Sequence, residues 1–312
     1  MTGVQTCALP ISNVVKNDLV YQIKKTYCNL QYLYAKQILL KKQDSIFEGF
    51  VKSAKARYKT GESTLLELST AETQLYKNQN IYQENEANIK IYLIQLQALL
   101  GTTEVISIVD KQLTEQVFLE SVSEKSTTNN PILAFLQQQT LIAERQKKLE
   151  TAKALPEFTV GYFNQSLIGA PLNAFGADVA TANNRFQGFH LGIAVPLFFS
   201  SFSGKIKAAS INKEISKTNL EKTQSSLQGN HEQALQEFQK HKNSLQYYKT
   251  SGLPNASLIL SQSQKAFKNG EISAAANLLN LKTANEIQEN YLLALLQYNQ
   301  GILTLEYLLG KN

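Results

Sequence analysis

Residues 56–101 align without gaps onto residues 265–310, at a constant offset of 209. Lys59, Gly61, Glu62, Gln79, Tyr82, Leu99, Leu100 and Gly101 recur as Lys268, Gly270, Glu271, Gln288, Tyr291, Leu308, Leu309 and Gly310. The apolar positions recur with them: Tyr82, Ile89, Leu93, Leu96 and Leu100 match Tyr291, Tyr298, Ile302, Leu305 and Leu309. Their spacings of three, four and seven form a heptad pattern, which predicts helices that pack as coiled coils. The offset far exceeds the roughly 20–50 residues of a solenoid repeat. It points instead to a duplicated half-protein, in which helix, hairpin and helix occur twice.

The glycines inside the repeat are interpretable. A long helix that turns back needs a residue at positive φ, and Gly61 and Gly270 supply one each. After Gly61, Thr64-Leu65-Leu66-Glu67 reads as a capping box, with the Thr hydroxyl taking one free N–H and Glu67 reaching back to the cap residue. After Gly270, Ser273 keeps the cap, but Ala276 stands where the acid would be. Helical pattern covers residues 14–58, 64–100 and 131 to about 154, and then Ser203 to Leu309 with breaks at Gly252-Leu253-Pro254 and at Gly270. Gly101 reads as a C-cap, and Asn130 before Pro131 as an N-cap followed by proline in the first turn. Residues 102–128 form a linker without a clear period. Scarce Gly (15) and Pro (6) suit such long helices better than a sheet-rich fold.

Between Pro156 and Pro196 the period changes from helical to two. Phe158, Val160 and Tyr162 alternate with Thr159, Gly161 and Phe163. Phe189, Leu191, Ile193 and Val195 alternate with His190, Gly192, Ala194 and Pro196. Strands are expected near 157–165 and 186–197, each of the length of a tilted membrane-spanning β-strand. Large apolar groups on one face and small or polar groups on the other fit lipid outside and water inside. An amphipathic hairpin packed on a soluble core has the same alternation, so both readings stay open here.

Other features narrow the function classes. No run approaches the roughly 18–20 apolar residues of a spanning helix, so a membrane role requires a closed β-barrel. The net charge of +6 is modest, and Lys147, Lys148, Lys240 and Lys242 lie among Glu and Gln as solvated helix faces, which argues against nucleic-acid binding. His190, His231 and His241 show no metal-ligand spacing, and neither a phosphate-binding glycine loop nor a nucleophile elbow occurs. No catalytic residue, metal site or cofactor is expected. Residues 1–12 read as a sequencing-library adapter translated in frame, so Cys7 is set aside, and Cys28 is expected as a small core residue.

Several segments together resemble the TolC-like outer-membrane efflux proteins. Arg57-Tyr58-Lys59-Thr60-Gly61-Glu62-Ser63-Thr64-Leu65-Leu66-Glu67-Leu68 is similar to that family's helix-tip motif. Phe267-Lys268-Asn269-Gly270-Glu271-Ile272-Ser273 is similar and lacks the acid. Val195-Pro196-Leu197-Phe198, followed by residues 200–204 and a long helix, resembles the family's strand-to-helix transition. Leu253-Pro254 with Gly270-Glu271-Ile272 looks more like the heavy-metal efflux branch than the drug-efflux branch. In some bacteria that branch is fused behind the inner-membrane pump.

The resemblance implies a mainly α fold: long antiparallel coiled-coil helices forming part of a periplasmic α-barrel, with one β-hairpin contributing to an oligomeric outer-membrane β-barrel. It implies a first, truncated half-repeat over residues 13–101, a linker over 102–130 and a second half-repeat over 131–310 with its hairpin at about 157–197. The first half's hairpin is expected before residue 13. The implied function is the passive outer-membrane channel of a tripartite efflux system. The implied partners are two further copies in a homotrimer, a periplasmic adaptor protein, an inner-membrane pump of the RND type, and outer-membrane lipid. Lys59, Thr60, Gly61, Glu62, Lys268, Asn269, Gly270 and Glu271 would contact the adaptor, and Val195, Pro196 and Leu197 would carry the strand-to-helix transition. Many members ring the second tip with acids. Here Ala276, Asn277 and Asn280 stand in that stretch, which departs from a cation-selective aperture. A soluble helical-bundle scaffold and a periplasmic adaptor-like coiled-coil protein are the competing readings; no lipoyl-like half-motif supports the second.

Overall fold

The computed structural model describes residues 3–117, 127–166, 185–196 and 199–311. They fall into two units, one drawn from residues 1–135 and 223–312 and one from residues 136–222.

In the first unit, α1 (Gly3–Lys59) and α2 (Leu65–Leu100) pack against each other over most of their length. Every seventh residue of α1 from Thr26 through Leu33, Leu40 and Phe47 to Ala54 is buried, and α2 answers with Ala71, Asn78 and Asn85. Asn78 donates to the Leu40 carbonyl at 3.1 Å and Asn85 to the Leu33 carbonyl at 2.9 Å. Seven residues forward in one helix therefore meet seven residues back in the other, so the pair is antiparallel and in heptad register. A polar residue on such a seam gives up apolar burial and fixes the register in return.

The rest of this unit holds the second copy of the repeat. The end of α4 (Phe199–Tyr247) leads through one π-turn, Tyr248–Gly252, into α5 (Leu253–Lys268), and α6 (Ala274–Leu309) packs on α5 and on α1. The break expected at Gly252-Leu253-Pro254 is corrected: the chain stays helical. Pro254 is the second residue of α5, and the widened π-turn ahead of it accommodates a residue that has no N–H to donate. Space at Gly252 is tight, while its φ is an ordinary helical one. A Cβ on it would lie 3.0 Å from Tyr248 Cδ1 and 3.3 Å from Ile287 Cγ2.

The two repeats differ in how much they bury. Tyr298, Ile302, Leu305 and Leu309 of the α6 seam are all buried, whereas of the matching α2 positions Ile89 and Leu96 are buried and Leu100 is 52% exposed. Full burial of a leucine such as Leu305 contributes roughly 1.5–3 kcal/mol. The difference arises at the helix ends. The Asn130 amide donates to the Tyr307 and Leu308 carbonyls at 3.3 and 3.0 Å while its oxygen caps α3 (Pro131–Ala152) through the Ile132 N–H. Gly310 lies so close under this turn that a Cβ would come within 2.8 Å of the Asn129 carbonyl, whereas a Cβ on Gly101 would meet nothing within 4 Å.

The linker after Gly101 is better fixed than its lack of period suggests. Asn299 of α6 brackets it, donating to the Thr114 carbonyl at 2.8 Å and accepting from the Gln116 N–H at 3.0 Å. The Tyr27 hydroxyl donates to the Asp110 carbonyl at 3.2 Å, Ile108 is buried, and Lys249 of the π-turn pairs with Glu115.

In the second unit, α3 and the start of α4 run side by side. Lys147 donates to the Ser210 hydroxyl at 3.1 Å, and Lys213 faces Glu144 at 4.0 Å. Three residues back on α3 match three residues forward on α4, so this pair is antiparallel as well. Between them β1 (Glu157–Ser166) and β2 (Arg185–Ala194) form one antiparallel hairpin. The strands stand where the change of period puts them, except that β2 ends at Ala194 rather than at 197.

Candidate functional site

Two structural features carry candidate function: the paired helix tips and the hairpin. Each tip reverses the chain through a glycine at φ +77°. At the first, Gly61 N–H donates to the Tyr58 carbonyl at 3.1 Å and Glu62 N–H to the Arg57 carbonyl at 2.8 Å. At the second, Gly270 N–H donates to the Phe267 carbonyl at 3.1 Å and Glu271 N–H to the Ala266 carbonyl at 2.9 Å. The hydrogen bonds thus repeat at the same offset as the sequence, in the pattern that closes a helix C-terminus with a left-handed residue. The caps that follow also match: Thr64 accepts from Glu67 N–H at 3.3 Å and Ser273 from Ala276 N–H at 3.2 Å.

One detail of the capping box is corrected. The Glu67 carboxylate does not reach the backbone of Thr64; it accepts from the Ser63 hydroxyl at 2.5 Å. A hydroxyl donating to a carboxylate makes a short, charge-assisted bond, and that bond holds the side chain one residue further out.

Lys59, Thr60, Gly61, Glu62, Lys268, Asn269, Gly270 and Glu271 are all exposed. The tips lie side by side, joined by a residue outside that set. Arg57 places its guanidinium 5.0 Å from the Phe267 ring centre, and its Nη2 lies 3.4 Å from where a Cβ on Gly270 would stand. Its Nε faces Glu62 at 3.9 Å. Beneath, Phe50 packs edge-on against Phe267 at 5.3 Å, in a core that includes Phe47, Ala54, Leu68, Ala71 and Leu278. Of the residues standing where acids are common in the resembling family, Asn277 is buried and accepts from Ser263 at 2.9 Å. Asn280 donates to the same Ser263 hydroxyl at 3.1 Å, so this polar stretch serves the packing of α5 on α6.

The hairpin register sorts its side chains by face. Phe158 pairs with Ile193, Val160 with Leu191 and Tyr162 with Phe189. All six are exposed, from 55% at Tyr162 to 80% at Leu191. The same face turns polar toward the strand ends at Asn164–Gln187 and Ser166–Arg185. The opposite face pairs Thr159 with Gly192, Gly161 with His190 and Phe163 with Gly188. Here each ring lies over a glycine: a Cβ on Gly161 would sit 2.1 Å from His190 Cε1, and one on Gly188 3.0 Å from Phe163 Cζ. Val195 is 51% exposed just beyond β2, and Pro196 follows; Leu197 lies outside the described residues. Among the described residues no helix is long and apolar enough to cross a membrane, and no group of three or more His, Cys, Asp or Glu gathers as a metal site.

Comparison with known proteins places this architecture. Residues 13–102 match the family model described as outer membrane efflux protein. No curated protein matches the chain. Among solved structures, the outer membrane protein VceC from Vibrio cholerae superposes with a TM-score of 0.85 at 16% identity, over 97% of this chain and 72% of that one. The outer-membrane channel OprN gives a TM-score of 0.87 at 12% identity, over 99% and 70% of the two chains. CusC, described in terms of folding and transmembrane channel formation, gives 0.79 at 14% identity, over 97% and 71%. The fold is that of the TolC-like outer-membrane efflux channels. Within that class the chain is similar to the outer membrane efflux protein family, through its first coiled-coil pair.

Proposed function

We propose that this protein is the outer-membrane channel component of a tripartite efflux system, a passive exit duct for metal ions or small toxic solutes. The observation that carries the proposal is the hairpin. Six large apolar side chains stand exposed on one face, and the other face is mostly small or polar, with the Phe163 ring lying over Gly188. In water such a face is a liability; against lipid it is the expected outer surface of a barrel wall. Two strands leave open edges, which lipid does not tolerate, so the wall has to be completed by further strands. The family resemblance implies a homotrimer in which such strands share one barrel.

The chemistry required of such a duct is modest. Its work is to hold an aqueous path open and to dock on the partners that deliver solute. The tip residues Lys59–Glu62 and Lys268–Glu271 suit docking, because exposed turns with short polar side chains offer hydrogen-bond groups to a second turn. The partner is a periplasmic adaptor, which links the channel to an RND-type pump in the inner membrane. The sequence pattern Leu253-Pro254 with Gly270-Glu271-Ile272 favours the heavy-metal branch. A soluble scaffold would have to cover the hairpin's apolar face with its own chain. After carbonate washing of membranes, the protein is expected to stay with the outer-membrane fraction. Release into the wash would favour the scaffold and overturn the channel.

A further inference from the structure

We propose that a groove in the second unit, between the end of α3 and the start of α4, binds the phosphodiester headgroup of an anionic phospholipid. The proposal rests on the reading of the hairpin as lipid-embedded. The groove has a volume of about 460 Å³, and Lys147, Lys207, Ser203, Ser210, Phe202 and Ile206 line it. Two lysines and two serines line it with no carboxylate among the lining residues, and the Lys147 ammonium donates to the Ser210 hydroxyl at 3.1 Å. That donor set fits a phosphate oxygen cluster, which accepts hydrogen bonds and carries negative charge. Phe202 and Ile206, both half-buried, add an apolar side on which the first carbons of an acyl chain can lie.

The place in the chain supports a lipid source over a soluble one. Ala154, which also lines the groove, stands three residues before the first residue of β1, and Phe202 eight residues after the last residue of β2. The apolar band begins at once beyond, with the pair Phe158–Ile193. A headgroup in the groove therefore sits beside the chain segments at which hydrocarbon contact begins, the level where long basic side chains meet lipid phosphates in membrane proteins. On the adjoining groove, lined by Lys153 and Lys205, Glu150 is present and pairs with Lys153 at 3.0 Å. The acid-free groove is the one suited to an anion.

The test is co-flotation of the full chain with vesicles of phosphatidylcholine alone, or of phosphatidylcholine with phosphatidylglycerol. The wild-type protein is expected to float with both and to prefer the anionic vesicles. Lys147→Gln with Lys207→Gln should lower partitioning onto anionic vesicles by about tenfold and leave partitioning onto phosphatidylcholine unchanged. Lys77→Gln with Lys90→Gln, which removes the same charge from exposed sites on α2, should keep the preference. Loss of the preference in both variants would mean general surface charge and would overturn the site, as would its survival in the groove variant. Added inorganic phosphate, matched in ionic strength by sodium chloride, should leave the preference in place; its selective loss would mark a site for free phosphate and overturn the lipid assignment. Failure of the wild-type protein to float with either vesicle would instead overturn the lipid-embedded hairpin itself.

Discussion

The guanidinium of Arg57 lies 5.0 Å from the ring centre of Phe267, so the first helix tip is stapled to the second across two copies of an internal repeat. The contact belongs to one copy's end and the other's seam, and it has no repeat mate: the residue equivalent to Arg57 is Ala266, and to Phe267 is Tyr58. A cation over an aromatic face at a half-exposed site contributes about 0.5–1 kcal/mol. A double-mutant cycle of Arg57→Ala and Phe267→Leu is expected to show a coupling of about that size in denaturant unfolding. Additive effects would mean that the two tips are not held together by this pair.

The glycine turns should not tolerate a side chain with a branched Cβ. Gly61 and Gly270 both stand at φ +77°, a region that β-branched residues essentially avoid. Valine at either position is expected to cost on the order of 1–2 kcal/mol. In cells making the full-length protein, each variant should lose efflux and crosslinking to the adaptor while outer-membrane trimers persist. Normal efflux and crosslinking in both variants would reduce the tips to turns without a docking role.

Asn78 and Asn85 should matter more for register than for stability. Both donate to α1 carbonyls from buried seam positions. Leucine at both sites is expected to leave the unfolding midpoint unchanged or raise it, because apolar burial replaces amide hydrogen bonds. The variant should also pair less uniquely. Cysteines at Thr26 and Tyr92, which continue the observed register, should crosslink in the native protein, with Cys28 first replaced by alanine. In the leucine variant, crosslinks one heptad away, from residue 26 to residues 85 and 99, should appear beside it. An unchanged single crosslink would show that shape alone sets the register.

Alkaline unfolding should involve Tyr307. Burial, then the hydrogen bond and negative charge of Asp18, push its hydroxyl up to about 12. The Tyr307 hydroxyl donates to Asp18 Oδ1 at 2.7 Å, an interaction that needs the neutral phenol. The fold thus favours the protonated form. Its contribution is complete below the ordinary tyrosine range near pH 10 and is lost as the pH rises toward 12. Tyr307→Phe should flatten the fall in stability between pH 10 and 12, measured by chemical denaturation at each pH. An unchanged slope would assign alkaline sensitivity to other groups.

What the sequence makes legible follows from what periodicity encodes. The hairpin reads directly because alternation of large and small residues at period two has one geometric meaning, and Phe158 and Ile193 indeed share a face. The tips read directly because Gly61 and Gly270 are needed for the same positive φ. Asn78 and Asn85 are invisible to an apolar-periodicity search, being polar residues on the seam. Pro254 reads as a stop because local propensity opposes its helix, yet the π-turn and the packing of α5 on α6 keep the helix running. In the sequence Arg57 is only the first residue of the tip motif; its role depends on a residue 210 positions away, a relation that no local pattern contains.

The central claim, that the hairpin is part of a barrel wall with lipid on one face and water on the other, is tested most directly by single cysteines along the two strands. In intact outer membranes, a membrane-impermeant thiol reagent should label cysteines at Thr159, His190 and Gly192 and spare those at Val160, Leu191 and Ile193. A lipid-soluble reagent should show the opposite preference. Equal labelling of both faces by the impermeant reagent would contradict the claim, because it would place the whole hairpin in water.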